Sequence, residues 1–231
     1  MGGVDNLSSV TTTLDAVAFD VDTAEGGRRR ILHPLSLSLS QHRIAVIGAN
    51  GSGKSTLLRL IAGLVAPTQG SLQLSPSGVR SGFIFANPQA QLIMPVVGED
   101  IAFSMRRSIS SASRRRARSR EILDTMGLGE RENSSIYDLS SGERQKVALA
   151  GVLAAEPELV LADEPTTLLD LRSTVEFTEL LMGLQAPMIV ATHDLQLAAR
   201  AERVLVFEEG RLTADDAPAP AIARYREVAG A

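Results

Sequence analysis

The chain has no cysteine and no tryptophan, and only 3% of its 231 residues are aromatic. Without cysteine, disulfides, cysteine-ligated metals and thiol nucleophiles are excluded. So few aromatics argue against base-stacking platforms for nucleic acid. An excess of positive charge is also lacking. Lys and Arg number 23 against 27 Asp and Glu, a formal charge of −4, so no general attraction to nucleic acid is expected. No apolar run approaches the ~20 residues that a membrane-spanning helix needs. Met1 to Asp15 shows no basic-then-apolar signal pattern. A cytosolic protein is expected, with any membrane role arising through a partner. What remains is an ordinary globular composition, 44% hydrophobic and 22% charged.

One stretch organises the rest, Ile44 to Gly63, IAVIGANGSGKSTLLRLIAG. Ile44 to Ile47 reads as a buried strand. Gly48, Ala49, Asn50, Gly51, Ser52, Gly53, Lys54 and Ser55 fit G-x-x-x-x-G-K-[ST], and Thr56 continues into a helix marked by Leu57, Leu58, Leu60 and Ile61. Glycines let the backbone turn its N–H groups inward, and the new helix adds its positive end. The product is a seat for phosphate. Lys54 is expected to reach the β- and γ-phosphates, and Ser55 to hold Mg²⁺.

Around this stretch the chain alternates strands and helices. Residues 1–13 read as loose, Leu14 to Val21 as a strand, Thr23 to Arg30 as a turn, and Leu35 to Leu39 as a second strand. These two strands suggest an N-terminal antiparallel β-subdomain. Short strands are expected at Leu72–Leu74 and Gly82–Ala86. Helices are expected over 97–105 and 114–126, and residues 87–140 read as an inserted helical subdomain. Then follow helix 140–155, strand 159–162, helix 174–184, strand 188–191, helix 195–201, strand 204–207 and a tail over 214–231. The order implies an α/β fold with a mainly parallel, doubly wound sheet in a single domain over 1–231. Arg114 to Arg120, RRRARSR, is the densest charge run. It suits a solvated helix face or a contact with anionic lipid or a partner.

Two further stretches carry chemistry. Leu159 to Ala162 delivers Asp163 and Glu164 to the C-terminal end of an apolar strand, the edge where open α/β sheets bind ligands. Asp163 suits Mg²⁺ and Glu164 suits polarising the attacking water. Leu139 to Gln145, LSSGERQ, places Ser140, Ser141, Gly142 and Glu143 at a helix start, a second anion seat. One nucleotide cannot easily use both seats. A head-to-tail dimer in which each subunit closes over the ATP of the other resolves this.

With these motifs in order, the sequence resembles the nucleotide-binding subunit of an ABC transporter. Gly48–Ser55 resembles that family's Walker A motif, Leu159–Glu164 its Walker B, and Leu139–Glu143 its LSGGQ signature. Leu168-Leu169-Asp170 resembles the D-loop, which implies Asp170 at the dimer seam. His193 resembles the switch histidine, which implies contact with the γ-phosphate and a shared role with Glu164 as the catalytic pair. The resemblance implies a P-loop ATPase using ATP and Mg²⁺. Asn87-Pro88-Gln89-Ala90-Gln91 and Gly98-Glu99-Asp100-Ile101-Ala102-Phe103 are similar to energy-coupling-factor ATPases, which drive vitamin and metal uptake. That likeness implies a coupling groove at Gln91, Glu99 and Asp100 for arginine-bearing helices of a transmembrane coupling subunit. It also implies a substrate-binding membrane subunit, a peripheral position on the cytoplasmic face of the membrane, and no nucleic-acid partner. The short form is similar to the ATPase of biotin uptake, with cobalt or nickel as other cargoes.

The chain departs from the family at four places. Ser141 and Glu143 replace a signature glycine and glutamine. Val21 stands where an adenine-stacking aromatic is usual, with Phe19 nearby. Ala86 stands where the Q-loop glutamine is usual. These departures keep a second reading open, a nucleotide-gated subunit that hydrolyses slowly. A soluble ABC ATPase of DNA repair or translation would need long coiled-coil insertions or tandem domains. A P-loop kinase would need neither LSSGE nor a coupling segment.

Overall fold

The computed structural model describes residues 10–24 and 26–230. The chain folds as two compact units, Met1–Val79 with Ala186–Ala231, and Arg80–Gln185. The first opens with β1 (Thr11–Asp22), β2 (Arg28–Leu39), β3 (Arg43–Ile47), α1 (Lys54–Ile61) and β4 (Gln69–Ser75). The second holds β5 (Ser81–Ile84), α2 (Val97–Ser104), α3 (Ala112–Thr125), α4 (Ser141–Ala154), β6 (Leu159–Asp163) and α5 (Leu171–Met182). The chain then re-enters the first unit with β7 (Met188–Ala191), α6 (Leu195–Ala198), β8 (Arg203–Glu208), β9 (Arg211–Asp216) and α7 (Pro218–Ala229).

In the first unit, β2, β1 and β4 form an antiparallel sheet. A second sheet has β3 parallel to both β7 and β8, with Ile44 opposite Ile189 and Arg203. Every residue of β3 and β7 is buried, as expected of parallel strands covered on both faces. Leu57, Leu58, Leu60 and Ile61 give α1 its buried face. In the second unit β5 and β6 pair in parallel, Ile84 opposite Ala162, and β6 is wholly buried. The fold is mixed α/β, with an antiparallel β-subdomain and parallel strands behind the phosphate loop.

Several boundaries differ from expectation. Residues 1–9 of the segment read as loose lie outside the described residues, and Thr11–Thr13 already belong to β1. The arginines assigned to a turn open β2 instead. Asp20 and Asp22 of β1 face Arg30 and Arg28 in register, and Arg30 grips Asp20 through bonds of 2.7 and 3.0 Å. Strand pairing therefore outweighs the charge that suggested a loop. The tail boundary at 214 falls inside β9, which pairs antiparallel with β8, and α7 follows. The helix expected over 195–201 covers only Leu195–Ala198.

Candidate active site

The loop after β3 is built by backbone that only glycine accepts. Gly48 has φ 149°, and a side chain there would strike the carbonyl oxygen of Phe207 on β8. Gly53, with φ 102°, caps α1 and rests on the Ile31 carbonyl of β2. Ala49, Asn50 and Gly51 are exposed, whereas Ser52, Gly53 and Lys54 are buried. The Lys54 Nζ donates to the carbonyls of Gly48 and Ala49 at 2.7 and 3.1 Å, which holds the ammonium against the loop. The Ser52 Oγ is buried and has no hydrogen-bond partner among the described residues. A buried hydroxyl and an ammonium on one glycine loop are the donor set of a phosphate seat. Ser55 and Thr56 are half-buried in the first turn of α1.

His193 belongs to the same unit. β7 lies beside β3, Thr192 N–H donates to the Val46 carbonyl at 3.0 Å, and the exposed His193 follows. Both the loop and His193 thus leave the C-terminal ends of adjacent parallel strands. Asp194 then caps α6 by accepting from Gln196 N–H at 2.8 Å. A cavity of about 380 Å³ adjoins the loop on the side of Glu208, Glu209, Arg211 and Thr213. Sequence reasoning gave no sign of it, because β9 was not read as a strand.

In the second unit, β6 ends at the buried Asp163. Glu164 follows with φ 49°, a left-handed backbone uncommon outside glycine. Its Oε2 accepts from the Thr167 hydroxyl at 3.2 Å.

The signature stretch forms the start of α4. Ser140 is the cap, and its Oγ accepts from Glu143 N–H at 3.2 Å while Glu143 Oε2 accepts from Ser140 N–H at 2.8 Å. This reciprocal box satisfies two of the helix's terminal amides and leaves those of Ser141 and Gly142 unclaimed by it. Ser141 is helical and does not take positive φ, so replacing a glycine costs no strain there. The Arg131 Nε donates to Glu143 Oε1 at 2.9 Å. The Ser140 backbone N–H, with Arg131 adding to it, holds the Glu143 carboxyl below its ordinary range. The carboxylate that replaces a glutamine is thereby matched inside its own subunit.

Asp170 caps α5, accepting from Ser173 N–H at 2.7 Å, and that bond holds its carboxyl below the ordinary carboxylate range. A side chain on Gly142 would come within 2.7 Å of the Ser173 Oγ. Ser173 therefore joins the signature to the D-loop segment. Neither it nor Arg131 was found from the sequence, since a serine in a helix first turn and a lone arginine carry no motif.

Of the three residues expected to line a coupling groove, only Glu99 faces outward. Glu99 is exposed and lines a groove of about 580 Å³ with Met94, Phe103, Arg106, Arg116 and Glu132. Asp100 does not face outward. It is 6% exposed, and its Oδ1 accepts from Ile93 and Met94 N–H, both at 2.7 Å. Gln91 is also turned inward, its Nε2 donating to the Ala148 carbonyl of α4 at 3.2 Å. Its Oε1 accepts from Phe85 N–H at 3.4 Å. Both side chains are spent on internal bonds, which removes them as groove contacts.

The sequence profile of the ABC transporter family matches residues 32–167. The chain belongs to the ABC transporter family. Biotin transport ATP-binding protein BioM of Rhizobium etli is 43% identical over 221 residues, spanning 92% of this chain and 99% of that protein. Nickel import ATP-binding protein NikO of Rhodobacter capsulatus is 38% identical over 213 residues, spanning 82% of this chain and 84% of that one. The solved structure of cbiO1 from Clostridium perfringens, part of the ABC transporter complex cbiONQ, superposes with a TM-score of 0.80. It is 25% identical and the match covers 95% of this chain and 93% of that one. This ABC ATPase therefore binds and hydrolyses ATP, is of the energy-coupling-factor type and is similar to biotin-uptake subunits. Among its described residues no helix is long and apolar enough to cross a membrane.

Proposed function

We propose that this ABC ATPase energises import of biotin, with nickel or cobalt as the alternative cargo. The likeness to BioM, which extends over 99% of that protein, carries the choice of biotin. The likeness to NikO keeps the metal alternative open. The subunit works as a homodimer on the cytoplasmic face of the membrane, held there by a transmembrane coupling subunit and a substrate-binding subunit.

The residues divide the chemistry as follows. Gly48 to Thr56 seat the phosphates of ATP, and Lys54 neutralises charge on them. Ser55 and Asp163 would hold Mg²⁺, which would supply neutralising charge to the phosphates. Glu164 accepts a hydrogen bond from the attacking water and so polarises it, and His193 orients the γ-phosphate. The water oxygen bonds to the γ-phosphorus, the bond to the bridging oxygen breaks, and ADP and phosphate leave. The Ser141 and Gly142 amides of a second copy close on the same nucleotide, with Asp170 at the seam. Two anion-seating helix starts on one chain, α1 and α4, support this shared site.

Purification of the tagged chain from its native membranes tests the assembly: transmembrane partners and vanadate-sensitive ATPase activity are expected together. A partner-free protein would sink it. Loss of biotin uptake, with nickel uptake intact, on deleting the chain tests the cargo. Glu164→Gln is expected to lower kcat roughly 100-fold or more while ATP still binds. An unchanged rate would instead favour the slow, nucleotide-gated reading that Ala86 and Val21 suggest.

A further inference from the structure

The net charge of −4 conceals a strongly uneven distribution. Arg106 to Arg120 carries seven arginines and no carboxylate. Three of these arginines are committed within the fold. Arg115 donates to the Ile109 and Ser110 carbonyls, both at 2.7 Å. Arg120 grips Glu132 through bonds of 2.8 and 3.1 Å, and Arg118 pairs with Glu121 at 2.8 Å. The other four are exposed. Arg106 lies over the Phe103 ring at 4.7 Å. Arg107, Arg114 and Arg116 have no polar partner among the described residues.

Four uncommitted guanidinium groups on one exposed hairpin, α2 to α3, form a surface that strongly favours anions. Only Arg106 and Arg116 of the four line the neighbouring groove; Arg107 and Arg114 lie outside it. An acidic peptide seated in the groove would therefore leave half of the free charge unused. Arg107 and Arg114, exposed and outside the groove, are open to a layer of phosphate headgroups. Arginine also matches phosphate with a planar pair of donors.

We infer that the α2–α3 hairpin binds the anionic headgroups of a lipid bilayer directly. The transport reading needs only protein partners at the membrane, so protein-free vesicles test the two separately. The purified chain is floated with vesicles of phosphatidylcholine alone and of phosphatidylcholine with phosphatidylglycerol. Binding is expected only to the anionic vesicles, and it declines as salt is raised. The double substitution Arg107→Ser, Arg114→Ser is expected to lower the vesicle partition coefficient roughly 30-fold. Its ATPase activity in detergent stays at the wild-type level, which shows that the variant is folded. Equal binding to neutral vesicles, wild-type partitioning of the double variant, or no binding to either vesicle would overturn the inference. The last result would assign the arginines to an acidic protein segment.

Discussion

Asp100 offers the sharpest test of how the α2 segment is built. A carboxylate beside Glu99 in the first turn of a helix suggests a contact for an outside partner. Instead, one buried oxygen accepts two backbone amides, from Ile93 and Met94, at 2.7 Å each. Asp100→Ala leaves both amides without their acceptor. A hydrogen bond to a charged group contributes about 1.5–3 kcal/mol. Water reaches part of this loop, since Ile93 is 65% exposed. The net loss is therefore set at about 2–4 kcal/mol, below the sum of two full bonds. For a chain of this size that lowers Tm by roughly 5–12 °C. Asp100→Asn keeps an oxygen acceptor and is expected to lose only about 1 kcal/mol. Glu99→Ala, at an exposed site, is expected to leave Tm unchanged. Differential scanning calorimetry reads the ranking, and amide exchange at Ile93 and Met94 reads the cause directly. If Asp100→Ala behaves like Glu99→Ala in both measurements, the clamp does not exist.

Three other outcomes follow from the site. Lys54→Ala removes the ammonium held at the loop and is expected to weaken ATP binding at least ~100-fold in an equilibrium titration, with the fold retained. Val21→Tyr restores a ring where the family stacks adenine, so ATP affinity should rise by about 1–3 kcal/mol, and an unchanged Kd would remove Val21 from the base site. Glu143→Gln keeps an acceptor for Ser140 N–H but loses the Arg131 ion pair. Because the Glu143 carboxyl is lowered in the folded chain, its advantage over glutamine is present above the ordinary carboxyl range. It fades as pH falls through the lowered value. A Tm difference in favour of glutamate that grows as pH falls through the carboxyl range would contradict that sign.

Legibility followed how local the determining physics is. The glycine loop, Lys54 and α1 were readable because strand, turn and helix cap lie within one short stretch. β6 with Asp163 was readable because a fully buried parallel strand is a continuous apolar run. β9 was not, because RLTADD alternates over four residues only, with Leu212 and Ala214 as its apolar content, and ends in two acids. It is a strand only because β8 offers it a ladder. The arginines of β2 were misread for the same reason, since their partners Asp20 and Asp22 lie on another strand. Asp100 and Gln91 were assigned outward roles because sequence spacing gives a position on a helix or loop but not the atoms that a side chain reaches. The Arg131–Glu143 pair spans a chain separation that no periodicity reports.

The contact between Gly142 and Ser173 has a consequence for what this subunit tolerates. The space between the starts of α4 and α5 is smaller than one methyl group would need with the serine as it stands. Size at either position is therefore limited by the other, and the two helix starts cannot slide past one another independently. Lys146 of α4 and Glu176 of α5 link the same pair of helices farther along at 3.0 Å, and Arg172 holds Glu176 from within α5 at 3.0 Å. The signature stretch at the start of α4 and the Asp170 segment at the start of α5 are thus tied to one another. A larger residue at 173 would be transmitted to the signature as a displacement, although it touches no phosphate.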